Sequence, residues 1–137
     1  MAGHFRLRVL TPDRTLFDGP VEIVIARSTE GEIGILAHHA RVITPLVPHA
    51  LYWTTDKGEK QMVVAAGGFL EVGPEETVVL ANAAEFPQEI DRARAEAARK
   101  RALERLESHA PEVDVARAQA ALARAEARLQ AVSSLLR

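Results

Sequence analysis

The sequence predicts an α+β protein, an N-terminal antiparallel β-sandwich followed by a C-terminal antiparallel two-helix hairpin. Three observations carry that expectation. Short alternating apolar runs, separated by Gly, Pro and Asp, fill the chain up to Glu85. Beyond Glu85-Phe86-Pro87 glycine disappears and Ala, Arg, Glu and Leu dominate. Within that second stretch, His109-Ala110-Pro111 interrupts an otherwise continuous helical pattern. The expected division is a sandwich over 1–86 and a helical arm over 87–137, a fitting plan for a chain of 137 residues.

The first half reads strand by strand. Phe5, Leu7 and Val9 alternate with Arg6 and Arg8, the period of a half-buried strand. Thr11-Pro12-Asp13-Arg14 supplies a turn, and Asp18-Gly19-Pro20 is read as a second one. Val21, Ile23 and Ile25 then share one face of a strand, and Glu30-Gly31 divides it from Ile33 to Leu36. Runs from Leu51 to Thr55 and from Glu59 to Ala65 flank Asp56-Lys57-Gly58, a hairpin signal. Phe69 to Val72 and Thr77 to Leu80 flank Gly73 to Glu76, another. Many short strands at close spacing suggest a sandwich or barrel. Hydrophobic residues reach 47% while aromatics are only 4%, so the core is expected to be aliphatic. Of the adjacent pair Tyr52 and Trp53, one is expected inside and the other free for contact.

The second half reads as two helices. Pro87 suits a first-turn position, with Glu89 and Asp91 near the positive end of the helix dipole, so the first helix is expected over about 88–108. Pro111 can open the second, which is expected to reach Leu135. Val115, Ala118, Leu122, Ala125, Leu129 and Val132 alternate steps of three and four, the spacing of a seam against a partner helix. Ala95, Ala98, Ala102 and Leu106 are the matching positions on the first helix. An alanine-rich seam removes little apolar surface, each CH₂ contributing about 0.8 kcal/mol. The helices are therefore expected to form readily and grip each other modestly, which describes a mobile element.

Composition excludes several functions. A net charge of −2 offers no basic field for nucleic acid or an anionic membrane surface. The absence of cysteine excludes disulfides and thiolate chemistry. No secretory signal and no run near the ~20 apolar residues of a membrane span is read, so membrane association is expected only through a partner. No Walker-type phosphate loop occurs; Gly67-Gly68 is followed by Phe69 and is read as a bulge or a close backbone approach. His38-His39 lacks acidic or Cys neighbours and is read as structural or surface rather than metal-binding. No catalytic constellation is found, so the chain is expected to be no enzyme and to need no metal or cofactor.

Two arginine trios stand out on the arm. Arg94, Arg101 and Arg105 follow i, i+7, i+11, and Arg117, Arg124 and Arg128 repeat that spacing. Each trio shares one helix face. Such stripes can grip a polyanion or an acidic helix through planar, bidentate contacts. The same spacing also describes a solvated surface with Glu104 and Glu126 as local ion-pair partners, at about 0.2–0.5 kcal/mol each.

Taken together, the motifs resemble a known family. Gly31-Glu32-Ile33-Gly34-Ile35-Leu36 with His39-Ala40 and Thr44-Pro45-Leu46 is similar to the signature loop and strand of F-type ATP synthase epsilon subunits, called delta in mitochondria. Gly67 to Val72, Val78 to Ala81 with Ala84-Glu85, and the opening Val9 to Asp18 fit the same pattern, as does Ile90-Asp91 followed by Arg94-Ala95. Two positions depart from it: Arg41 where the family often has Pro, and His49 after Pro48 where it often has Gly.

The resemblance implies a non-catalytic central-stalk subunit of the proton-translocating synthase. Its sandwich would sit against the gamma subunit and the ring of c subunits, peripheral on the cytoplasmic face of the cell membrane, and couple ring rotation to ATP synthesis. The arm would fold down or extend along gamma, where its basic face meets the catalytic beta subunits and inhibits hydrolysis. Some bacterial members bind ATP on the folded arm as a regulatory ligand. Carried over, that site would comprise Glu85, Ile90, Asp91, Arg94, Ala95, Arg124 and Arg128, and the inhibitory face Arg94, Arg101, Arg105, Arg117, Arg124 and Arg128. The alternative is a stand-alone nucleotide-sensing module.

Overall fold

A computed structural model describes residues 3–135; Met1, Ala2, Leu136 and Arg137, the outer ends of the two expected ranges, lie outside the described residues. The chain separates into two compact units, Met1–Glu85 and Phe86–Arg137. Among the described residues the first holds seven strands: β1 (Phe5–Leu10), β2 (Thr15–Ser28), β3 (Gly31–Leu36), β4 (Val42–Thr55), β5 (Lys60–Val72), β6 (Glu76–Ala81) and β7 (Ala84–Glu85).

The strands pair in the order β1-β6-β5-β4-β2-β3, with β1 also pairing β2 and β7 pairing β5. Five strands therefore close a circuit, β1-β6-β5-β4-β2 and back to β1. A closed ring of five cannot alternate direction throughout, so one pair must run parallel. That pair is β1 with β6, from Arg6↔Glu76 to Leu10↔Leu80. The expected antiparallel sandwich is met at every other pairing.

Inward positions fill one aliphatic core. Leu7, Val9, Val21, Val24, Ile35, Leu51, Val63, Leu70 and Val79 are fully buried. β1 keeps the two-residue period. In β2 a register shift after Val21 turns Val24 inward in place of the expected Ile23 and Ile25, and Val63, Val64 and Ala65 of β5 are buried in succession. Trp53 joins them and stacks obliquely on Phe17 with ring centroids 5.0 Å apart, while its Nε1 donates to Gln61 Oε1 at 3.0 Å. Tyr52 is the exposed member of the pair.

The expected turns at Thr11–Arg14, Asp56–Gly58 and Gly73–Glu76 close as tight reversals, with Thr11 N donating to Arg14 O, Gly58 N to Thr55 O and Gly73 N to Glu76 O. Asp18-Gly19-Pro20 is not a turn. It lies inside β2, where Asp18 faces Arg8, Gly19 faces Leu7 and Pro20 faces Arg6. Turn chemistry in the sequence is overridden here by pairing with β1, which needs an extended partner along its whole length. β4 likewise begins earlier than Leu51, running through Pro45 and Pro48.

Gly67 and Gly68 mark where β5 exchanges partners. β5 pairs β6 from Gly68 to Val72 and β7 at Val64 and Ala65. Gly68 has φ of 132°, and a Cβ there would collide with the Leu80 carbonyl oxygen and lie 2.7 Å from Ala81 Cα. The close approach expected from the sequence is therefore backbone against backbone, which no rotamer change relieves.

Outside the barrel, Arg6 makes a two-pronged contact with Asp18, both N–H···O distances being 2.8 Å. Arg6 and Arg8 also approach Glu76 at 3.4 and 3.6 Å. These pairs tie β1 to both neighbours that it joins. The hydrogen bond from Arg6 holds the Asp18 carboxyl below its ordinary 3.8, and the charges of Arg6 and Arg8 act in the same sense.

Two outcomes follow. Gly68→Ala is expected to cost on the order of 3 kcal/mol or prevent folding, read as a lowered midpoint in a denaturant melt. Asp18 has a depressed folded pKa, so its contribution is complete above 3.8 and disappears as pH falls through the folded value. Asp18→Asn is expected to be less stable than the parent at about pH 7 and to converge with it well below that value, read from paired thermal melts.

Candidate functional site

The second compact unit carries most of the candidate residues. It opens with a 3₁₀ turn at Pro87–Glu89, where Phe86 N donates to the Glu89 carboxylate at 2.8 Å. Helix α1 spans Arg92–Ser108 and helix α2 Val115–Ser134. The expected start near residue 88 is thus divided into a short turn and a later helix. Asp91 is the reason: its carboxylate accepts from Arg94 N at 3.1 Å and caps α1. Asp114 caps α2 in the same way, accepting from Arg117 N at 3.0 Å. Pro111 stays in the connecting turn instead of opening α2, and the left-handed His109, φ 51°, ends α1.

The two helices pack together, and α2 also contacts the 3₁₀ turn. A connection of six residues between them enforces an antiparallel hairpin. Ala95, Ala102, Ala118 and Ala125 are buried as the seam pattern requires, together with Ala127 and Ala131. Leu106, Leu122, Leu129 and Val132 are half-buried. Val115, expected in the seam, is 54% exposed because the first turn of α2 lies at the hairpin's tip. The buried apolar positions of the helices are therefore all alanines, each of which removes little apolar surface, with the larger aliphatic side chains only partly covered.

The nucleotide-site candidates divide as follows. Glu85 belongs to β7 in the first unit, where it pairs with Val64. Ile90, half-buried, ends the 3₁₀ turn. Asp91 and Arg94 sit on the first turn of α1, with one Asp91 oxygen committed to the cap. Ala95 is buried and belongs to the seam. Arg124 and Arg128, both half-buried, lie one turn apart on α2. Antiparallel packing brings the C-terminal part of α2 to the end of the hairpin where α1 begins, so Asp91, Arg94 and Arg128 share that end. Ala95 faces inward, as its expected place in the seam requires, while Arg94 faces out.

The arginine stripes are real surface features. Arg94, Arg101, Arg105 and Arg117 are exposed. Neither Glu104 nor Glu126 forms an ion pair among the described residues, so the expected local pairing is not made; on α1 the pair is Arg92 with Glu96 at 3.1 Å. Arg105 and Arg117 converge at the tip, lining a cleft of about 420 Å³ with Glu112, Val113 and Asp114.

On the sandwich, a feature missed from the sequence is an apolar exterior. Ile43 and Pro45 of β4 face Glu71 and Phe69 of β5, and Phe69 faces Leu80 of β6. Ile43 is 68%, Phe69 55% and Leu80 51% exposed. The signal was present in the doubled apolar residues Phe69-Leu70 and Val79-Leu80, where one member points in and the other must point out. His38 and His39 lie in the turn after β3 and not on a strand; the His39 ring Nδ1 is 2.7 Å from the Ala40 carbonyl oxygen.

Comparison with known proteins gives a consistent picture. The family model described as ATP synthase, Delta/Epsilon chain, beta-sandwich domain matches residues 4–87, and the one for the long alpha-helix domain matches residues 88–133. The ATP synthase epsilon chain of Clostridium novyi is 46% identical over 106 residues, covering 77% of this chain and 81% of that one. The epsilon chain of Bacillus subtilis is 43% identical over 105 residues, 77% of this chain and 79% of that one. A chain in the mitochondrial ATP synthase of Euglena gracilis, solved with its OSCP, F1 and c-ring, superposes with a TM-score of 0.82 at 25% identity, covering 98% of this chain and 82% of that one.

Proposed function

Since both of its units match, this chain belongs to the delta/epsilon family of ATP synthase subunits, as an epsilon subunit of the F-type enzyme, and from that premise we propose how its two parts work. It is a non-catalytic subunit of the complex. The sandwich docks on the gamma subunit and the c-ring in the central stalk and transmits proton-driven rotation to the catalytic head. The helical arm regulates ATP hydrolysis, and ATP bound to the folded arm is its signal. Peripheral attachment to the cytoplasmic face of the cell membrane runs through those partners; no helix among the described residues is long and apolar enough to cross a membrane.

The observation that carries the docking part is the apolar exterior formed by Ile43, Pro45, Phe69 and Leu80. The barrel core is complete without these side chains, so their exposure has no stabilising role in the isolated chain. Contiguous apolar surface of this kind marks a face that is covered in an assembly. The Euglena neighbour comes from an ATP synthase solved with its c-ring, which supports a rotor assignment.

Support for the regulatory part comes from the hairpin. Arg94, Arg101, Arg105, Arg117 and Arg124 have no ion pair among the described residues, so they are available to carboxylates of the beta subunits. The methyl seam leaves little apolar area to resist relocation. For ATP, Arg94, Arg124 and Arg128 supply phosphate-binding cations and Ile90 an apolar contact for the base. Asp91 retains one carboxylate oxygen for ribose or adenine. Ala95 acts indirectly, its small side chain letting α2 approach. Glu85 enters through the family pattern alone. A ligand that binds only the folded arm shifts its population by that difference in affinity.

Calorimetric titration of the isolated chain with ATP, with and without Mg²⁺, is expected to show binding that Arg94→Ala or Arg124→Ala weakens roughly ten-fold or more, with unchanged helicity. Equal affinity in both variants defeats the assignment. Ending the chain after Phe86 is expected to preserve assembly while raising ATP hydrolysis by the complex. An unaltered rate argues against an inhibitory arm, and failure of the full chain to associate with gamma at micromolar concentration removes the rotor reading and favours a stand-alone sensor.

A further inference from the structure

We propose that Arg41 and Glu71 form a charge-reading rim at one end of the apolar exterior, and that the cleft they flank accepts an aliphatic or aromatic side chain which a partner subunit carries between an acidic and a basic residue. This rests on the reading of that exterior as a docking face.

The cleft measures about 470 Å³ and lies wholly within the sandwich, where β4 begins beside the β5–β6 turn. Its lining is apolar except at two points. Val42, half-buried, and Val72, 5% exposed, pair across β4 and β5 and form the floor, with Pro74 beside them. Ile43, opposite Glu71 in the register, belongs both to the cleft and to the apolar exterior, so the two surfaces are continuous. Arg41 and Glu71 stand exposed at the edge.

Neither side chain has an ion pair or hydrogen bond among the described residues, although both line the same cleft. Elsewhere on the barrel the chain places opposite charges in direct contact, as Arg6 and Asp18 do at 2.8 Å. Pairing Arg41 with Glu71 across solvent would contribute little, about 0–1 kcal/mol. Unpaired, the two leave a cation and an anion available to a partner around an apolar seat. Water excluded from such a seat by a docked chain strengthens both charge contacts and penalises a segment of reversed polarity. The occupant that satisfies every part is a polypeptide segment with an apolar anchor, a carboxylate meeting Arg41 and a cation meeting Glu71. The rim thus sets which partner segment this chain accepts, separately from the affinity of the apolar face.

The test is binding of full-length variants to the gamma subunit and, separately, to the c-ring, each purified without this chain, at low and high salt. Arg41→Glu and Glu71→Lys are each expected to weaken binding roughly ten-fold at low salt, with the loss shrinking as salt screens the contacts. Arg41→Gln is expected to fall between parent and Arg41→Glu, and thermal melts of all three are expected to match the parent, since both positions are exposed. Phe69→Asp serves as the control for the docking face. If Phe69→Asp abolishes binding while Arg41→Glu and Glu71→Lys bind as the parent does, the rim is overturned and the docking face stands. Should Phe69→Asp bind normally, the docking face falls and the rim with it. A loss in Arg41→Glu that does not respond to salt also overturns the charge-reading role.

Discussion

The structure depends on closing the strand circuit at β1, which lies between β2 and β6. Five strands cannot alternate around a ring, and the parallel β1–β6 pair is where the odd number is absorbed. Parallel ladders are slightly weaker per residue than antiparallel ones. Arg6, bonded to Asp18 on one side, and Arg8 both approach Glu76 on the other, and so reinforce the closing strand from outside. Closure leaves each strand with one face spent on the core and one face free. The free faces are where the chain can carry residues that the fold does not need.

That separation explains how a small sandwich combines a stable interior with an adhesive exterior. The core is saturated by Leu, Val, Ile and Trp53 side chains with almost no exposure. Ile43, Phe69 and Leu80 lie outside it. Their chemistry suits a surface buried in a larger assembly, in keeping with a rotor subunit. Arg41 and Glu71 give one end of that surface a polarity.

The hairpin follows a different economy. Its seam is built from alanine methyls, which allow close helix approach but bury little area. Both helices owe their starts to aspartate caps, Asp91 and Asp114, which satisfy first-turn N–H groups locally. A seam whose buried positions are alanines accords with the proposed arm that changes its docking. The residue pattern Ile90-Asp91 with Arg94-Ala95 also takes on a division of labour: Asp91 caps, Ala95 packs, and Arg94 faces out.

Local chemistry determined a good deal of this protein unaided. Alternation in Phe5 to Val9, turn residues at Thr11–Arg14, Asp56–Gly58 and Gly73–Glu76, and the three-four spacing of alanines were sufficient for strands, reversals and a seam, because each depends on neighbours within a few positions. The site candidates were legible as residue types and spacings. What tertiary structure alone decided was everything set by distant partners. β1 made Asp18-Gly19-Pro20 extend instead of turn, and ring closure forced one parallel pair. Burial chose Trp53 over Tyr52, and pairing across β4, β5 and β6 assembled Ile43, Phe69 and Leu80 into one face. Periodicity specifies which side chains share a face; only the closed barrel and the packed hairpin specify which face is inside.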